Sequence, residues 1–289
     1  MIPARPFPAM LLKVGSERFL VASDLHLGWE VAFAEQGVHV PSQMPKLLKK
    51  LYQLLDLYKP NRLIFLGDVK HTIANVEMEE WRDIPDFFEA LSKKVSKIQI
   101  VLGNHDGNLE PLLPASVELL PPTGVALGNV GLFHGHTWPE TKLLGCRTLV
   151  IGHLHPSVAF YDPMGYRITS QVWVTAKCNS TLLAKYVLRH AKVKVKRSSD
   201  PAILLEKHFN VKLKASRLVI LPSFNDFLGG SPVNKRGIDE DKKFREFIGP
   251  VLRSGIVDID RAEVYLLDGT FLGNIHQLRN LGLLQHDRA

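Results

Sequence analysis

Five short apolar runs in this chain stop abruptly at aspartate, asparagine or histidine, and that repeated ending constrains the fold more than any other feature. "RFLVASDLH" ends in Asp24 and His26, and "RLIFLGDVKH" in Asp68 and His71. "KIQIVLGNHD" ends in Asn104, His105 and Asp106, "VGLFHGH" in His134 and His136, and "TLVIGHLH" in His153 and His155. Runs of this length bounded by turn residues read as buried strands. A solvent-facing turn after Leu102 needs only Gly103 and Asn104. It has no structural use for an imidazole and a carboxylate as well.

Between the first three runs lie helical patterns. In "SQMPKLLKKLYQLLDLYKP", Leu47, Leu48, Leu51, Leu54, Leu55 and Tyr58 recur at helical spacing, Ser42 is placed to cap the start, and Pro60 closes the end. "MEEWRDIPDFFEALSKKV" reads as a second amphipathic helix, interrupted near Pro85. Strand, helix, strand, helix, strand implies a parallel sheet with helices on its faces. After Pro114 the pattern changes to short strands separated by turns, some of them antiparallel. The stretch 178–224 is less legible, "NDFLGGSPVNKRGIDED" has loop chemistry, and "AEVYLLDGTFLGNIHQLRNLGLL" reads as a hairpin turning at Asp268-Gly269, followed by a short tail. With no internal repeat and no clear linker, one domain over 1–289 is expected, with a core at about 10–176 and a basic elaboration at about 177–289.

Carboxyl ends of strands in open sheets are where ligands bind. Seven of the twelve histidines sit in the five endings. Each residue alone has an ordinary explanation, as a turn or a hydrogen-bonded surface group; the combination is what points to metal. Residues i and i+2 of a strand share a side, so Asp24/His26 and His153/His155 can each serve one ion. Mixed carboxylate and imidazole donors suit Mn, Fe or Zn better than Ca or a structural cysteine-zinc site. The donors outnumber the needs of one ion, and a two-metal centre would use them, with Asp68 as the candidate shared carboxylate. His39, His190, His208, His276 and His286 read as ordinary surface or core residues, and Trp29 and Trp138 flank the endings as either pocket walls or packing.

Charge and cysteine content narrow the setting. Of a net charge of +7, the stretch from Thr175 to Arg217 carries eleven Lys or Arg against Asp200 and Glu206, so the remainder is close to neutral. Such an excess attracts phosphate-bearing partners or serves as a soluble face; few aromatics interleave it, so base stacking is not indicated. Cys146 and Cys178 cannot build a disulfide framework. No apolar run reaches a membrane span, and no signal peptide is legible, so a cytoplasmic location is expected.

The motifs Asp-x-His, Gly-Asp, Gly-Asn-His-Asp, His-Gly and Gly-His-x-His, in this order over roughly Phe19 to Pro156, resemble the calcineurin-like metallophosphoesterase superfamily. "LPSFNDFLGGSPVN" resembles archaeal SbcD-related phosphoesterases and ligase-associated bacterial relatives. The resemblance implies an α/β fold, a two-sheet β-sandwich flanked by α-helices in α/β/β/α layers, with the metals at one edge. It implies that Asp24, His26 and His155 hold one ion, Asn104, His134 and His153 a second, with Asp68 bridging and His105 catalytic. The ions would be two divalent cations, manganese first, with Fe, Zn, Ni or Mg as alternatives. A hydroxide bridging them would attack phosphorus, His105 would assist the leaving group, Asp106 would orient the His105 imidazole, and His71 would help position a diester or support Asp68; His136 would support the ligands. The expected activity is phosphodiester hydrolysis on a nucleotide or nucleic acid. A small-molecule cyclic-nucleotide phosphodiesterase or phosphomonoesterase, a non-catalytic scaffold, and a nucleic-acid binder with structural metals are the alternatives. Protein partners stay open, as does the oligomeric state, a dimer among the options.

Overall fold

The computed structural model describes every residue except 35–36, 74–76, 163, 236–247 and 287–289, and of 282–286 only the backbone. The first sheet holds β1 (Ile2–Pro3), β2 (Met10–Val14), β3 (Glu17–Ala22), β4 (Arg62–Leu66), β5 (Lys97–Val101) and β6 (Val117–Leu120), side by side in that order. β1 to β3 are antiparallel, and β3 to β6 are parallel. Helices α1 (Trp29–Ala34) and α2 (Met44–Tyr58) connect β3 to β4, and α3 (Met78–Ser92) connects β4 to β5.

The second sheet begins with β7 (Val125–Leu127), β8 (Val130–Leu132), β9 (Thr148–Ile151), β10 (Pro156–Tyr161) and the long β11 (Arg167–Lys177). Helices α4 (Ser180–His190) and α5 (Pro201–Phe209) follow, then β12 (Arg217–Ile220), β13 (Ser231–Pro232), α6 (Pro250–Arg253), β14 (Glu263–Leu266), β15 (Phe271–Asn274) and α7 (Ile275–His286). Its order is β13-β10-β11-β12-β9-β8-β7, with β14 on β11 and β15 on β14. β8, β9 and β12 run parallel.

Strand alternation divides the apolar residues among three layers of core. Phe19 and Val21 of β3 and Ile64 and Leu66 of β4 face the other sheet, where they meet Val150, Trp173 and Val219. Their neighbours Leu20, Leu63 and Phe65 point the other way, against Leu51 and Leu54 of α2 and Ile84, Phe87 and Phe88 of α3. On the far face of the second sheet Leu149, Ile151, Leu218 and Ile220 pack with Leu183 and Val187 of α4 and Leu205 of α5. Each such side chain contributes roughly 1.5–3 kcal/mol when fully buried. The layering is helix, sheet, sheet, helix, the fold expected from the resemblance.

Several local expectations are corrected. Gln43, not Ser42, is the N-cap of α2, because the helix starts at Met44 and Ser42 lies one residue outside it; the Ser42 hydroxyl still accepts the Met44 N–H at 3.3 Å. The chain leaves α2 through Lys59 in the left-handed region (φ 44°). Pro85 does not interrupt α3: the buried Ile84, Phe87, Phe88 and Leu91 hold it across the proline. The illegible stretch is two helices and the interior strand β12, which lies between β11 and β9. The hairpin at Asp268-Gly269 forms, with Gly269 at φ 94°, but it ends at Asn274; "IHQLRNLGLL", expected within it, belongs to helix α7. Of the expected loop after Asn225, residues 236–241 lie outside the described residues. No helix among the described residues is long and apolar enough to cross a membrane.

Candidate metal centre

β3, β4 and β5 of one sheet and β8 and β9 of the other deliver their carboxyl ends to one edge of the sandwich, and each carries one of the five polar endings. The endings leave strand geometry at once. Asp24, His26, Asp68, His153 and His155 all have positive φ, between 45° and 65°. Non-glycine residues rarely hold this conformation, and it costs about 1–3 kcal/mol where it occurs. Five instances at the predicted ligand positions mark a site whose surroundings enforce its geometry.

The structure brings these side chains into three groups, within each of which the donor atoms lie inside 4.8 Å of one another. The first is Asp24, His26, Asp68 and His155; the second is Asp68, His134 and His153; the third is His26, His71 and His105. Asp68 belongs to both of the first two, through one oxygen: its Oδ2 is 3.6 Å from His26 Nε2 and 3.2 Å from His134 Nε2. Asn104 joins the second group, its Oδ1 3.2 Å from His134 Nε2. His153 and His155 part company, one to each group, contrary to the shared ion that i, i+2 spacing implies. That rule needs extended backbone and so fixes nothing for left-handed residues, of which Asp24 and His26 stay together while His153 and His155 separate.

The donor chemistry fits a cation in each of the first two groups. His134 Nδ1 lies 2.7 Å from the Leu66 carbonyl, so Nδ1–H donates there and Nε2 presents a lone pair. That lone pair meets Asn104 Oδ1, Asp68 Oδ2 and, at 3.1 Å, His153 Nδ1. Electron pairs converging in a buried space require positive charge between them. In the first group the buried Nε2 atoms of His26 and His155 make no hydrogen bond, although the latter sits 3.1 Å from Asp24 Oδ1.

Electrostatics give the same account. Burial would raise the Asp24 and Asp68 pKa values, but the facing histidines outweigh it, and both carboxyls lie below their ordinary value. Burial opposes charge on His134, yet Asp68 and Asp24 raise its pKa to about 9. Burial takes His26 down to about 3 and, with His134 beside it, His153 down to about 4, which leaves both rings neutral and able to donate lone pairs.

Supporting groups hold this arrangement. The Asp24 carboxylate accepts the His153 N–H at 3.2 Å, and Asp68 Oδ1 accepts the His105 N–H at 2.9 Å. Gly103 is required for space, not for its freedom of φ: a Cβ there would lie 2.2 Å from Asp68 Oδ1 and 2.3 Å from the Asp68 nitrogen. Gly152 is similar, its Cβ falling 1.8 Å from Ser23 Oγ.

Asp106 does not orient the His105 ring. Its carboxylate accepts the N–H groups of Asp68 (2.9 Å), Val69 (2.8 Å) and Gly103 (2.7 Å) and so ties the β4 and β5 endings together. Burial, then the charge of Asp68, raises its pKa to about 6. The His71 carbonyl takes the orienting role, contacting His105 Nδ1. His71 Nδ1 itself lies 3.4 Å from His26 Nδ1. His136 packs its ring 5.2 Å from that of His134. Trp29 is buried, stacked on Phe227, and Trp138 stacks on Tyr186. His39, His190, His208 and His276 are exposed and outside the three groups; the His286 side chain lies outside the described residues.

Sequence reasoning missed two supports. Glu80, buried in the first turn of α3, accepts the N–H groups of His71 (3.2 Å) and Thr72 (3.0 Å). It is half of a capping box with Glu77, a pattern visible in "EMEE". The Ser223 hydroxyl donates to the Asp24 carbonyl at 2.9 Å and Asn225 Nδ2 to the Leu25 carbonyl at 2.9 Å. "RLVILPSFN" is a sixth apolar run with a polar ending, and the same reading would have found it.

A family model for calcineurin-like phosphoesterases matches residues 17–210. No curated protein matches the chain. Among solved structures, a Pseudomonas putida nuclease, MPE, is 16% identical, with 90% of this chain and 97% of that one covered and a TM-score of 0.47. Yfce, a phosphoesterase from E. coli, is 23% identical over 50% of this chain and 73% of its own, with a TM-score of 0.32.

Proposed function

We propose that this chain, which belongs to the calcineurin-like phosphoesterase family, hydrolyses phosphodiester bonds of nucleotides or nucleic acids at a centre for two divalent cations. The single observation that carries the reading is the Asp68 carboxylate shared between two donor groups. Asp24, His26 and His155 would hold one cation with Asp68, and Asn104, His134 and His153 the other. Manganese suits this mixture of oxygen and imidazole donors, with Fe, Zn, Ni and Mg as alternatives. Such a pair supplies charge neutralisation of the phosphate and activation of water near neutral pH.

The chain's own groups supply the rest. The contact of His105 Nδ1 with the His71 carbonyl makes Nδ1–H the donor and leaves Nε2 to exchange the leaving group's proton. The His105 ring lies 4.7 Å from that of His26, which keeps it beside the first cation position. His71, in the same group, offers a second imidazole to an ester oxygen. Two such groups suit a phosphate with two ester arms, which favours a diester over a monoester.

The test compares bis-p-nitrophenyl phosphate, p-nitrophenyl phosphate, 2′,3′-cyclic nucleotides, single-stranded and duplex DNA, and RNA in the presence of Mn²⁺. The bis-ester is expected to turn over faster than the mono-ester. His105→Ala is expected to lower turnover by about 10²–10⁴ with metal content by elemental analysis unchanged. Intact esters throughout, or a fully active His105→Ala, would overturn the proposal.

A further inference from the structure

The sequence from Arg189 to Arg197, "RHAKVKVKR", holds five lysines and arginines and no acid. Arg189 and His190 have a local reason to be there, since they complete the last turn of α4, where positive charge is favoured. The segment beyond has none. Lys192 takes a left-handed conformation (φ 61°), the Val193 N–H bonds to the Leu188 carbonyl, and the helix ends. From there exposure alternates: Lys192, Lys194 and Lys196 are exposed, while Val193 and Val195 pack against the core. Where such an alternation rides on extended chain, the outward side chains stand about 7 Å apart. That spacing is comparable to the step between successive phosphates of an extended polynucleotide.

These charges are uncompensated. Among the described residues, no side chain of Arg189, Lys192, Lys194, Lys196 or Arg197 makes a hydrogen bond or an ion pair. Asp200, the next acid along the chain, is the N-cap of α5 and accepts the Ala202 N–H at 2.8 Å. A face kept only for solubility mixes both signs, whereas a single-sign stripe creates a field that attracts a polyanion.

The path of the chain points the stripe toward the centre. Lys177 of β11 pairs with Arg217 of β12, and Arg217 with Thr148 of β9. β11 therefore ends where β9 begins, at the end of the sheet opposite His153. α4 starts there and runs back across the outer face, and its Tyr186 stacks on Trp138, ring centroids 5.6 Å apart. Trp138 is four residues from His134, so α4 delivers Arg189 and the lysines toward the metal edge.

We propose that Arg189, Lys192, Lys194, Lys196 and Arg197 form the path along which a single-stranded polynucleotide lies when one of its diesters occupies the metal centre. The proposal rests on the diesterase reading above and adds to it the length and charge of the substrate. Phosphate contact alone drives it, so DNA and RNA strands both qualify.

The test uses manganese-loaded full-length protein and fluorescent phosphorothioate thirty-mers of thymidine and of uridine, with affinity measured against salt. The triple variant Lys192→Gln, Lys194→Gln, Lys196→Gln is compared with Lys207→Gln, Lys212→Gln, Lys214→Gln, which removes the same charge from residues after the α5 midpoint. The first triple is expected to weaken binding by on the order of tenfold or more and to flatten the log–log salt slope by about 2, at roughly 0.7 per lost contact. The second should change neither, and both should hydrolyse bis-p-nitrophenyl phosphate at the wild-type rate. Equal binding by the first triple, or equal loss in both, overturns the path while leaving the diesterase reading intact. Wild-type protein that cleaves no ester overturns that reading, and the path with it.

Discussion

Left-handed backbone at Asp24, His26, Asp68, His153 and His155 is where the sequence reading and the structure part at the scale of residues. Residue types were legible because few folds end apolar runs in Asp-x-His, Gly-Asn-His-Asp and Gly-His-x-His. Strand spacing by itself could not say which donor joins which group, because i, i+2 spacing predicts a shared face only while the strand continues. Tight packing behind the donors leads to a direct test. In Gly152→Ala the new Cβ would sit 1.8 Å from Ser23 Oγ and 2.6 Å from Asp24 Oδ2. The variant is expected to lose about 1–3 kcal/mol in urea unfolding, and a Mn²⁺ titration should show weaker binding; wild-type values in both would contradict the packing. The cysteines give a second test. Burial raises the Cys146 thiol and pushes Cys178 up to about 12, so neither is a thiolate near neutrality. Both should resist Ellman's reagent at pH 8 in native protein and react after denaturation; a fast native phase would show that one is accessible.

Among the elements, α2 and the strands β3, β4 and β5 could be read directly, because an amphipathic stripe or a buried run declares itself within one segment. α3 shows the limit. Proline is expected to break a helix, yet Pro85 sits inside one whose apolar side chains are fully committed to the first sheet. Pro85→Ala gives the Trp81 carbonyl back an N–H donor and is expected to stabilise the protein by about 1–2 kcal/mol, read as a higher urea midpoint at unchanged m; a lower midpoint would mean that the ring is packed as well as tolerated. The first turn of the same helix reaches the site through Glu80. Glu80→Ala strands the N–H groups of His71 and Thr72 and is expected to cost about 2–4 kcal/mol. It should also lower kcat for a diester on the order of tenfold as the His71 carbonyl shifts under His105. Glu80→Gln, which keeps an acceptor oxygen, should recover most of both. A loss of stability with kcat unchanged would confine Glu80 to the helix cap. β12 is legible as an apolar run with a polar ending, but its place inside the sheet is not, because only the packing puts β9 and β11 on either side of it.

At the scale of the whole molecule the candidate centre joins two sheets. Asp24, His26, Asp68 and Asn104 come from the first, and His134, His153 and His155 from the second. Cations held between them would be cross-links that exist only in the folded state. Mn²⁺ at about 100 times its Kd is expected to add roughly 2.7 kcal/mol per site, seen as a rise in Tm over protein scanned in EDTA; identical melting curves would argue against ions in these groups. The sequence alone determined that strands end in metal-donor residues and in what order, because hydrophobic runs and donor types are properties of single segments. Only the tertiary structure decided that His153 and His155 go to different donor groups, and that Asp106 ties two strand endings while the His71 carbonyl holds His105. Those facts concern distances between segments, and such distances are set by how two sheets and their helices pack.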